Sequence, residues 1–276
     1  MTKIKFAIIG NPVSHSLSPV MHNYWFNKYK INAEYVMLDI KENEIQEVIN
    51  QIKDKEIKGI NVTLPYKKTV IPFLSKTIND ANETHSVNTI MLDKDHNLIG
   101  ENTDVFGFQA AYLKSISNQD KRNKKALVLG AGGVAPSIIL ALIKSNIQDI
   151  TITNRTYEKS LFLKKKFKNI SVIKWEDCSR HLDKFDIIIN ATSLGLKASD
   201  EFKIDLTVFK RDMIYIDTIY NPPQTKMVKY FKSKNIQSYN GLNMFIYQGQ
   251  KSFYLWNKIN PEVDDDLLKL LESKLN

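Results

Sequence analysis

The sequence predicts an α/β fold of two domains, because strand-like and helix-like segments alternate along the chain and the alternation starts again after a polar stretch. In the first part, strand candidates lie near residues 4–9, 34–39, 58–63 and 87–92, and helical patterns lie near 19–30, 42–53 and 65–75. In the second part, strand candidates lie near 126–130, 149–154, 170–173, 185–190 and 213–217. A chain of 276 residues is long enough for two such domains, each with a mainly parallel sheet.

The domain boundaries follow from the segments between and after these two runs. A helical segment, Val105 to Ile116, leads into a polar stretch, Ser117 to Lys125. The tail from Gly241 to Asn276 is helical and too apolar to be a free arm. We therefore expect residues 1–104 and 241–276 to form one domain, with the C-terminal helices packed on it, and residues 105–240 to form the other.

The composition is that of an ordinary globular protein, with 43% hydrophobic and 25% charged residues. The longest apolar runs are of strand length, which predicts no membrane span and no export segment and favours a cytoplasmic protein. The formal charge is +9, but the basic runs at 121–125 and 164–166 lack the interleaved aromatic residues of a nucleic-acid platform. We expect solvated basic faces and an anionic small-molecule partner rather than nucleic acid.

The chain has a single cysteine, Cys178. One cysteine excludes an internal disulfide and any multi-cysteine metal site. We expect Cys178 to be a small apolar filler, and no bound metal is predicted.

The segment GNPVSHSLSPVMH, residues 10–22, places polar side chains directly after an apolar strand candidate. Proline suits the first turn of a helix, so we expect Pro19 at the first helical position and Ser18 as the N-cap. The free N–H groups of that helix terminus, with the hydroxyls of Ser16 and Ser18, would suit a small anion such as a carboxylate. The alternative is that Ser18 only caps the helix.

The stretch ALVLGAGGVAPS, residues 126–137, matches the G-x-G-x-x-A form of the dinucleotide-binding fingerprint. Gly130 would permit the tight turn, Gly132 would let a pyrophosphate approach the backbone, and Ala135 would let helix and strand pack closely. The position of the motif, between a strand and a helix, favours a bound dinucleotide over a mere tight turn.

The end of the next strand candidate indicates which dinucleotide is bound. Asn154, Arg155 and Thr156 stand where an NAD-binding protein usually carries an acidic residue for the ribose hydroxyls. Arg155, Thr156 and Lys159 could instead hold a 2′-phosphate by charge-assisted hydrogen bonds. NADP is therefore the predicted cofactor, and the alternative is a surface arginine at a turn.

Three further segments carry polar residues at strand ends or helix starts: NVTLPYK at 61–67, SVNTI at 86–90 and ENTD at 101–104. Ligands of open α/β sheets bind at the carboxyl ends of strands, so these segments would converge with the two serines. They offer Thr63, Lys67, Asn88, Thr103 and Asp104, a set that suits a polyhydroxylated molecule. Each has a simpler alternative, such as turn stabilisation or helix capping.

Lys67 differs from an ordinary surface lysine in its position. It follows Pro65 at a predicted helix start, where a cation is disfavoured by the helix dipole. That position calls for an anionic partner, and Asp104 is the natural candidate.

The chain resembles the shikimate dehydrogenase family over nearly its whole length. The motifs that carry the resemblance are GNPVSHSLSPVMHN, NVTLPYK, VNT, ENTDVFG, GAGGVA, NRT, NATSLG, DTIYNPPQT and GLNMFIYQGQKSFYLW. Their order and spacing are more specific than any one of them. The resemblance implies a substrate-binding catalytic domain, a Rossmann-like NADP-binding domain, and the reversible interconversion of shikimate and 3-dehydroshikimate on the route to chorismate and aromatic amino acids.

The resemblance also implies a role for each matching position. Ser16 and Ser18 would bind the substrate carboxylate, Thr63, Asn88 and Gln248 would hold ring hydroxyls, and Lys67 and Asp104 would form the catalytic pair. Tyr220 would lie near the carboxylate or the nicotinamide, and Gly241 near the nicotinamide. The implied cofactor contacts are Gly130, Ala131, Gly132, Gly133, Val134, Asn154, Arg155, Thr156, Lys159, Thr192 and Gly241.

Three other functions remain open at this point. A quinate/shikimate dehydrogenase that accepts quinate or NAD would share the two-domain frame. A non-catalytic NADP-binding regulatory protein would share it too, although Lys67 and Asp104 are both present. A nucleic-acid-binding protein, suggested only by charge, would show salt-sensitive DNA binding. The sequence is compatible with either a monomer or a homodimer.

Overall fold

The computed structural model describes residues 2–114, 116, 121–205 and 208–275. The chain forms two compact units, of which the first comprises Met1–Gly107 and Ile246–Lys274 and the second comprises Phe108–Phe245 and Leu275–Asn276. Each unit contains a β-sheet and α-helices, so the predicted α/β fold class is confirmed. Within the described ranges, no helix has the length and apolar character that a membrane crossing requires.

The elements follow one another in the alternating order that the sequence predicts. The strands are β1 (Ile4–Gly10), β2 (Ala33–Asp39), β3 (Ile57–Val62), β4 (Lys76–Thr77), β5 (Thr89–Leu92), β6 (Leu98–Glu101), β7 (Lys125–Leu129), β8 (Asp149–Thr153), β9 (Ser171–Val172), β10 (Ile187–Asn190), β11 (Ile214–Asp217) and β12 (Gln237–Tyr239). The α-helices are α1 (Ser18–Lys28), α2 (Ile45–Lys53), α3 (Asp80–Thr84), α4 (Asp104–Phe108), α5 (Ala135–Lys144), α6 (Tyr157–Lys166), α7 (Lys226–Ser233), α8 (Leu242–Asn257) and α9 (Asp265–Glu272). Short 3₁₀ helices occupy Glu42–Glu44, Ile71–Phe73 and Trp175–Lys184, and Gln109–Leu113 is π-helical.

The sheet of the first unit has the strand order β2-β1-β3-β5-β6-β4. Strands β1, β2 and β3 are parallel, whereas β5 runs antiparallel to both β3 and β6. Because β3 and β6 both oppose β5, they point in the same direction as β1. The carboxyl ends of β1, β3 and β6 therefore meet the amino end of β5 at one edge, which we call the polar edge.

The helix predicted near 65–75 is wrong. The segment consists of turns followed by the 3₁₀ helix Ile71–Phe73. Pro72 lacks the backbone N–H that an α-helical hydrogen bond to the carbonyl of Lys68 would need. The carbonyl of Lys67 accepts a hydrogen bond from the backbone N–H of Val87 at 2.8 Å, so it is directed to a neighbouring segment rather than along a helix.

The segment predicted to be helical from 105 to 116 begins as α4 and continues as the π-helical turn Gln109–Leu113. Residue 115, and residues 117–120 of the predicted polar stretch, lie outside the described residues.

The core of the first unit includes a group of aromatic side chains from α1, α8 and the sheet. Phe253 of α8 lies within 5.5 Å of Trp25 and Phe26 of α1, measured between ring centroids. Trp256 packs on Phe6 of β1, and its Nε1 donates to the carbonyl of Ile90 at 3.3 Å. Helix α8 is thereby held on the sheet by apolar burial and by a hydrogen bond, and this contact sets its orientation toward the polar edge.

The sheet of the second unit is parallel throughout, in the order β12-β11-β10-β7-β8-β9. The central strand β10 has the sequence IIIN, and all four residues are buried. A continuous apolar run is typical of a parallel strand whose two faces are both covered. Cys178 lies in this unit's core, and burial raises the pKa of its thiol to about 12.

Candidate active site

Lys67 and Asp104 form an ion pair at the polar edge. Lys67 Nζ lies 2.6 Å from Asp104 Oδ2, and both side chains are largely shielded from solvent. Asp104 is the first residue of α4, where a carboxylate is favoured by the helix dipole. Its backbone N–H donates to Asn102 Oδ1 at 3.0 Å, so the main chain is held as well as the side chain.

The second oxygen of Asp104 is held by Asn88. Asn88 Nδ2 donates to Asp104 Oδ1 at 2.9 Å. The backbone N–H of Thr103 donates to Asn88 Oδ1 at 2.8 Å. Since a backbone N–H can only donate, Asn88 must present its carbonyl oxygen to Thr103 and its NH₂ group to Asp104.

This arrangement leaves Lys67 able to act on a ligand. An ammonium group has three N–H donors, and one of them reaches Asp104. A positioned amine beside a fixed carboxylate can exchange a proton with a ligand hydroxyl or carbonyl oxygen, which is general acid–base chemistry. Gln248 of α8 reaches the same place, with Oε1 lying 3.4 Å from Asn88 Nδ2 and 3.5 Å from Thr103 Oγ1.

The two serines of the N-terminal motif lie together at the start of α1. Ser16 Oγ donates to Ser18 Oγ at 3.1 Å and accepts from the backbone N–H of Ser18 at 3.2 Å. The predicted N-cap role of Ser18 is wrong, because the helix begins at Ser18 itself and the N-cap residue is Leu17, which makes no side-chain cap hydrogen bond. Pro19 consequently occupies the second helical position, and the hydroxyl of Ser16 satisfies the first helical N–H.

Thr63 lies beside the carboxyl end of β1. Its backbone N–H donates to the carbonyl of Ile9 at 2.9 Å. A Cβ atom at Gly10 would lie only 2.5 Å from Thr63 Cγ2, so glycine is required for this close approach. The residues predicted to contact the substrate all belong to the first unit. They are Ser16, Ser18, Thr63, Lys67, Asn88, Asp104 and Gln248.

A buried polar network connects these residues through four side chains that the sequence patterns did not single out: Tyr35, Asn61, Thr89 and Ser252. Asn61 of β3 accepts at Oδ1 from the Tyr35 hydroxyl at 2.7 Å, and Tyr35 also interacts with Ser18. Asn61 Nδ2 lies 2.9–3.1 Å from three acceptors for its two protons, namely the carbonyl of Asn88, Thr89 Oγ1 and Ser252 Oγ. The network thus runs from the serine pair to the Lys67–Asp104 pair. The sequence signal for this network was the presence of polar residues, such as Asn61 and Thr89, inside otherwise apolar strand candidates.

The second unit presents a glycine loop between β7 and α5. Gly130 has φ +107°, and a Cβ atom there would lie 2.9 Å from the carbonyl oxygen of Ala191, so the turn requires glycine. A Cβ atom at Gly132 would meet its nearest heavy atom, that same oxygen, only at 3.8 Å. The backbone is therefore open for close approach at Gly132, and Val134 is the N-cap residue of α5, whose positive dipole end suits a phosphate.

The end of β8 is tied to this loop. Asn154 Oδ1 accepts from the backbone N–H of Ala131 at 3.0 Å, and Asn154 Nδ2 donates to the carbonyl of Thr156 at 2.8 Å. Thr156 is the N-cap residue of α6. Arg155, Thr156 and Lys159 are all exposed to solvent. Arg155 and Thr156 directly follow Asn154, which is tied to the loop, and two cations with a hydroxyl are a set that fits the 2′-phosphate of NADP.

The strand ends of β10 and β11 position the other predicted contacts of the second unit. Thr192 Oγ1 donates to Asn190 Oδ1 at 2.7 Å, and Asn190 Nδ2 donates to Asp217 Oδ1 at 3.0 Å. Burial raises the pKa of Asp217, whose carboxylate also accepts from Thr225 and Tyr215. These hydrogen bonds fix the loops that follow both strands.

Tyr220 and Gly241 lie near these loops. The Tyr220 ring stacks on Phe245 at a centroid distance of 4.8 Å. The backbone N–H of Gly241 donates to the carbonyl of Ile219 at 2.9 Å, and a side chain at Gly241 would collide with the carbonyl of Thr218. Among the described residues, no group of three or more His, Cys, Asp or Glu side chains could hold a metal ion.

A glycine loop on a parallel sheet, joined in one chain to a lysine–carboxylate pair on a second sheet, defines a two-domain dehydrogenase that uses a dinucleotide. The match to known families is specific. Residues 8–90 match the shikimate dehydrogenase substrate binding domain, and residues 112–237 match the shikimate / quinate 5-dehydrogenase family. The chain belongs to the shikimate dehydrogenase family, as the resemblance indicated.

Similar proteins cover the chain almost completely. A shikimate dehydrogenase (NADP(+)) of Pelagibacter ubique is 47% identical over 98% of this chain and 99% of that protein. A protein of the same name from Staphylococcus epidermidis is 36% identical over 95% of this chain and 94% of that protein.

Solved structures agree with this assignment. The crystal structure of shikimate dehydrogenase from Aquifex aeolicus is 33% identical, has a TM-score of 0.87, and covers 99% of this chain and 97% of that one. The Thermus thermophilus shikimate 5-dehydrogenase in complex with NADP(H) and shikimate is 28% identical, has a TM-score of 0.86, and covers 99% of this chain and 100% of that one.

Proposed function

We propose that this protein is an NADP-dependent oxidoreductase that reversibly reduces 3-dehydroshikimate to shikimate, a step toward chorismate and the aromatic amino acids. The observation that carries the proposal is the shielded Lys67–Asp104 pair with its 2.6 Å contact, held by Asn88 at the polar edge. Family membership and the names of relatives that cover nearly the whole chain support it.

In this proposal the first unit binds the substrate. Ser16 and Ser18 hold its carboxylate, because their hydroxyls lie together at the free N-terminus of α1. Thr63, Asn88 and Gln248 hold ring hydroxyls, and Tyr220 lies near the carboxylate or the nicotinamide. The domains are residues 1–104 with 241–276 for substrate binding and catalysis, and residues 105–240 for NADP.

Lys67 performs the proton transfer. In the direction of reduction its ammonium group gives a proton to the carbonyl oxygen and becomes a neutral amine, and in the direction of oxidation that neutral amine accepts the proton of the reacting hydroxyl. Asp104 keeps the amine oriented and hydrogen-bonds a neighbouring substrate hydroxyl. NADP, when bound, supplies or accepts the hydride.

The second unit has the residues that NADP requires. The backbone at Gly132 is open to the pyrophosphate, and Gly130, Ala131, Gly133 and Val134 form the rest of the loop. Arg155, Thr156 and Lys159 bind the 2′-phosphate, with Asn154 linking them to the loop. Thr192 is a further cofactor contact, and Gly241 lies near the nicotinamide. We further propose a cytoplasmic monomer or homodimer that binds no nucleic acid.

Initial rates at 340 nm with purified protein test the function, using shikimate or quinate with NADP⁺ or NAD⁺ in all four pairings. We expect turnover with shikimate and NADP⁺. Comparable rates with quinate or NAD⁺ would identify a dual-specificity enzyme. Absence of turnover in every pairing would refute the enzymatic function and favour a non-catalytic NADP-binding protein.

A further inference from the structure

We propose that Ser252 is a positioning residue of the active site. It keeps the side chain of Gln248, on α8, next to Asn88 at the polar edge. The proposal rests on the proposed function. Ser252 lies on α8 one helical turn after Gln248, is fully buried, and donates to the Gln248 carbonyl at 3.1 Å.

The hydroxyl of Ser252 contacts three segments of the polar edge at once. Its Oγ lies 2.8 Å from Thr89 Oγ1, 3.2 Å from Thr103 Oγ1 and 3.0 Å from Asn61 Nδ2. Each of these residues is within two positions of a residue predicted to contact the substrate. Thr89 follows Asn88, Thr103 precedes Asp104, and Asn61 precedes Thr63 by two. A single hydroxyl therefore connects α8 to the three segments that carry Thr63, Asn88 and Asp104.

The direct contacts of Gln248 to the same edge are weaker. They measure 3.4 Å to Asn88 Nδ2 and 3.5 Å to Thr103 Oγ1, at the outer limit for hydrogen bonds. The contacts of Ser252 are all shorter. The Ser252 hydroxyl, one turn further along α8, therefore anchors the helix to the polar edge more closely than these two contacts do.

The donor and acceptor pattern predicts that loss of this hydroxyl affects position more than stability. Asn61 Nδ2 has two protons, and without Ser252 it still has the Asn88 carbonyl and Thr89 Oγ1 as acceptors. Thr89 can still donate to Asn88 Oδ1, and Thr103 Oγ1 can still accept from Asn88 Nδ2. The buried groups remain satisfied and the contacts of Trp256 still hold α8 on the sheet, but the hydrogen bonds that join Ser252 to the polar edge are lost.

The test is Ser252→Ala, with steady-state kinetics measured well below its unfolding temperature. We expect the KM for shikimate to rise about tenfold through misplacement of Gln248, with the KM for NADP⁺ unchanged. The matched control is Ser86→Ala, because Ser86 is equally buried in the first unit and its hydroxyl has no hydrogen-bond partner among the described residues. A purely structural role would lower the unfolding temperature and leave both KM values unchanged.

A double-mutant cycle with Gln248→Ala tests the route of the effect. If Ser252 acts through Gln248, Ser252→Ala has little further effect on the KM for shikimate once Gln248 is truncated. Full additivity, or an unchanged KM in the single variant, would overturn the proposal. If Ser252→Ala does not fold, Ser252→Cys serves, and an unchanged KM there overturns it equally. Inactivity of the wild-type protein would instead refute the proposed function, and with it this role.

Discussion

The backbone N–H of Thr103 donates to Asn88 Oδ1 over 2.8 Å, and this contact decides which end of the Asn88 amide faces Asp104. With its oxygen committed to Thr103, Asn88 presents a donor to Asp104 Oδ1 at 2.9 Å. The carboxylate is thereby held by a neutral donor on one oxygen and by Lys67 on the other. Such an arrangement fixes the carboxylate without a second charge.

Asn88→Asp should therefore be strongly impaired although the two side chains have the same shape. The substitution places a carboxylate oxygen against Asp104 Oδ1, where the NH₂ group stood, and like charges at this distance repel. We expect kcat/KM for shikimate to fall roughly a hundredfold or more, since a charge-assisted hydrogen bond is replaced by repulsion. Asn50→Asp is the control, because Asn50 is exposed and accepts at Oδ1 from Gln46. Equal activity of both variants would contradict the assignment of the Asn88 amide.

Lys67→Ala should lower kcat roughly 10²- to 10⁴-fold, the usual worth of general acid–base catalysis. The measurement is kcat for shikimate oxidation at saturating NADP⁺. The control is Lys76→Ala, which removes an exposed lysine from an ion pair with Asp93 at 3.3 Å. Near-normal turnover of Lys67→Ala, with only the KM for shikimate raised, would rule out the catalytic role.

Two glycines of the loop should respond differently to alanine. The methyl group of Gly132→Ala would collide with no protein atom, so the unfolding temperature should be unchanged. The KM for NADP⁺ should rise about tenfold or more, because the methyl group obstructs the pyrophosphate. Gly130→Ala should lose about 1–3 kcal/mol of unfolding free energy, because alanine rarely adopts φ near +107°. Thermal unfolding and NADP⁺ titration separate the effects. A stable Gly132→Ala that binds NADP⁺ normally would remove Gly132 from the cofactor site.

Arg155→Ala should raise the KM for NADP⁺ about 10- to 100-fold and leave the KM for NAD⁺ nearly unchanged, since one charge-assisted interaction with the 2′-phosphate is lost. The comparison of the two cofactors distinguishes this effect from damage to the loop. Arg180→Ala is the matched control, since Arg180 is 79% exposed and pairs with Asp177 of the same segment. An equal change with both cofactors would show that Arg155 does not contact the 2′-phosphate.

His22 should make the protein sensitive to acid. It is fully buried against Tyr35, Trp25 and Trp256, and burial lowers the pKa of its imidazole to about 3. The unfolded chain protonates this group near its ordinary value of 6.5, so the stabilisation is complete above that pH and is lost as the pH falls toward 3.

The measurement is the free energy of unfolding by urea between pH 7 and pH 4. His22→Phe should remove a slope of up to about 1.4 kcal/mol per pH unit, the effect of one proton. His96→Asn is the control, because His96 is exposed and asparagine tolerates its φ of 61°. Parallel curves for wild type and His22→Phe would show that His22 does not contribute.

The two parts of the chain were unequally predictable from sequence. In the second unit, parallel buried strands such as β10 carry unbroken apolar runs, and the glycine motif is local. In the first unit, the short strands β4 and β6 were missed, and the helix predicted near 65–75 is replaced by turns and a 3₁₀ helix. Such short segments take their conformation from partners distant in sequence, as the Lys67 carbonyl does from Val87.

The pairing of Lys67 with Asp104 is predicted from a helix start at Pro65, but the structure has turns there. The network through Asn61, Thr89 and Ser252 was not anticipated, because a polar residue in a strand or helix can face either solvent or core. Only the packed structure shows that these three side chains are buried and satisfy one another.

The sequence by itself determined the fold class, the glycine loop and the residue types available for chemistry, because these depend on local periodicity and on motifs a few residues long. The tertiary structure alone decided that β5 runs antiparallel, so that Asn88 at its amino end meets the carboxyl ends of β3 and β6. It also decided the direction of the Asn88 amide and the burial of Ser252. These features depend on contacts between residues as many as 191 positions apart, such as Asn61 and Ser252, and no local pattern encodes such contacts.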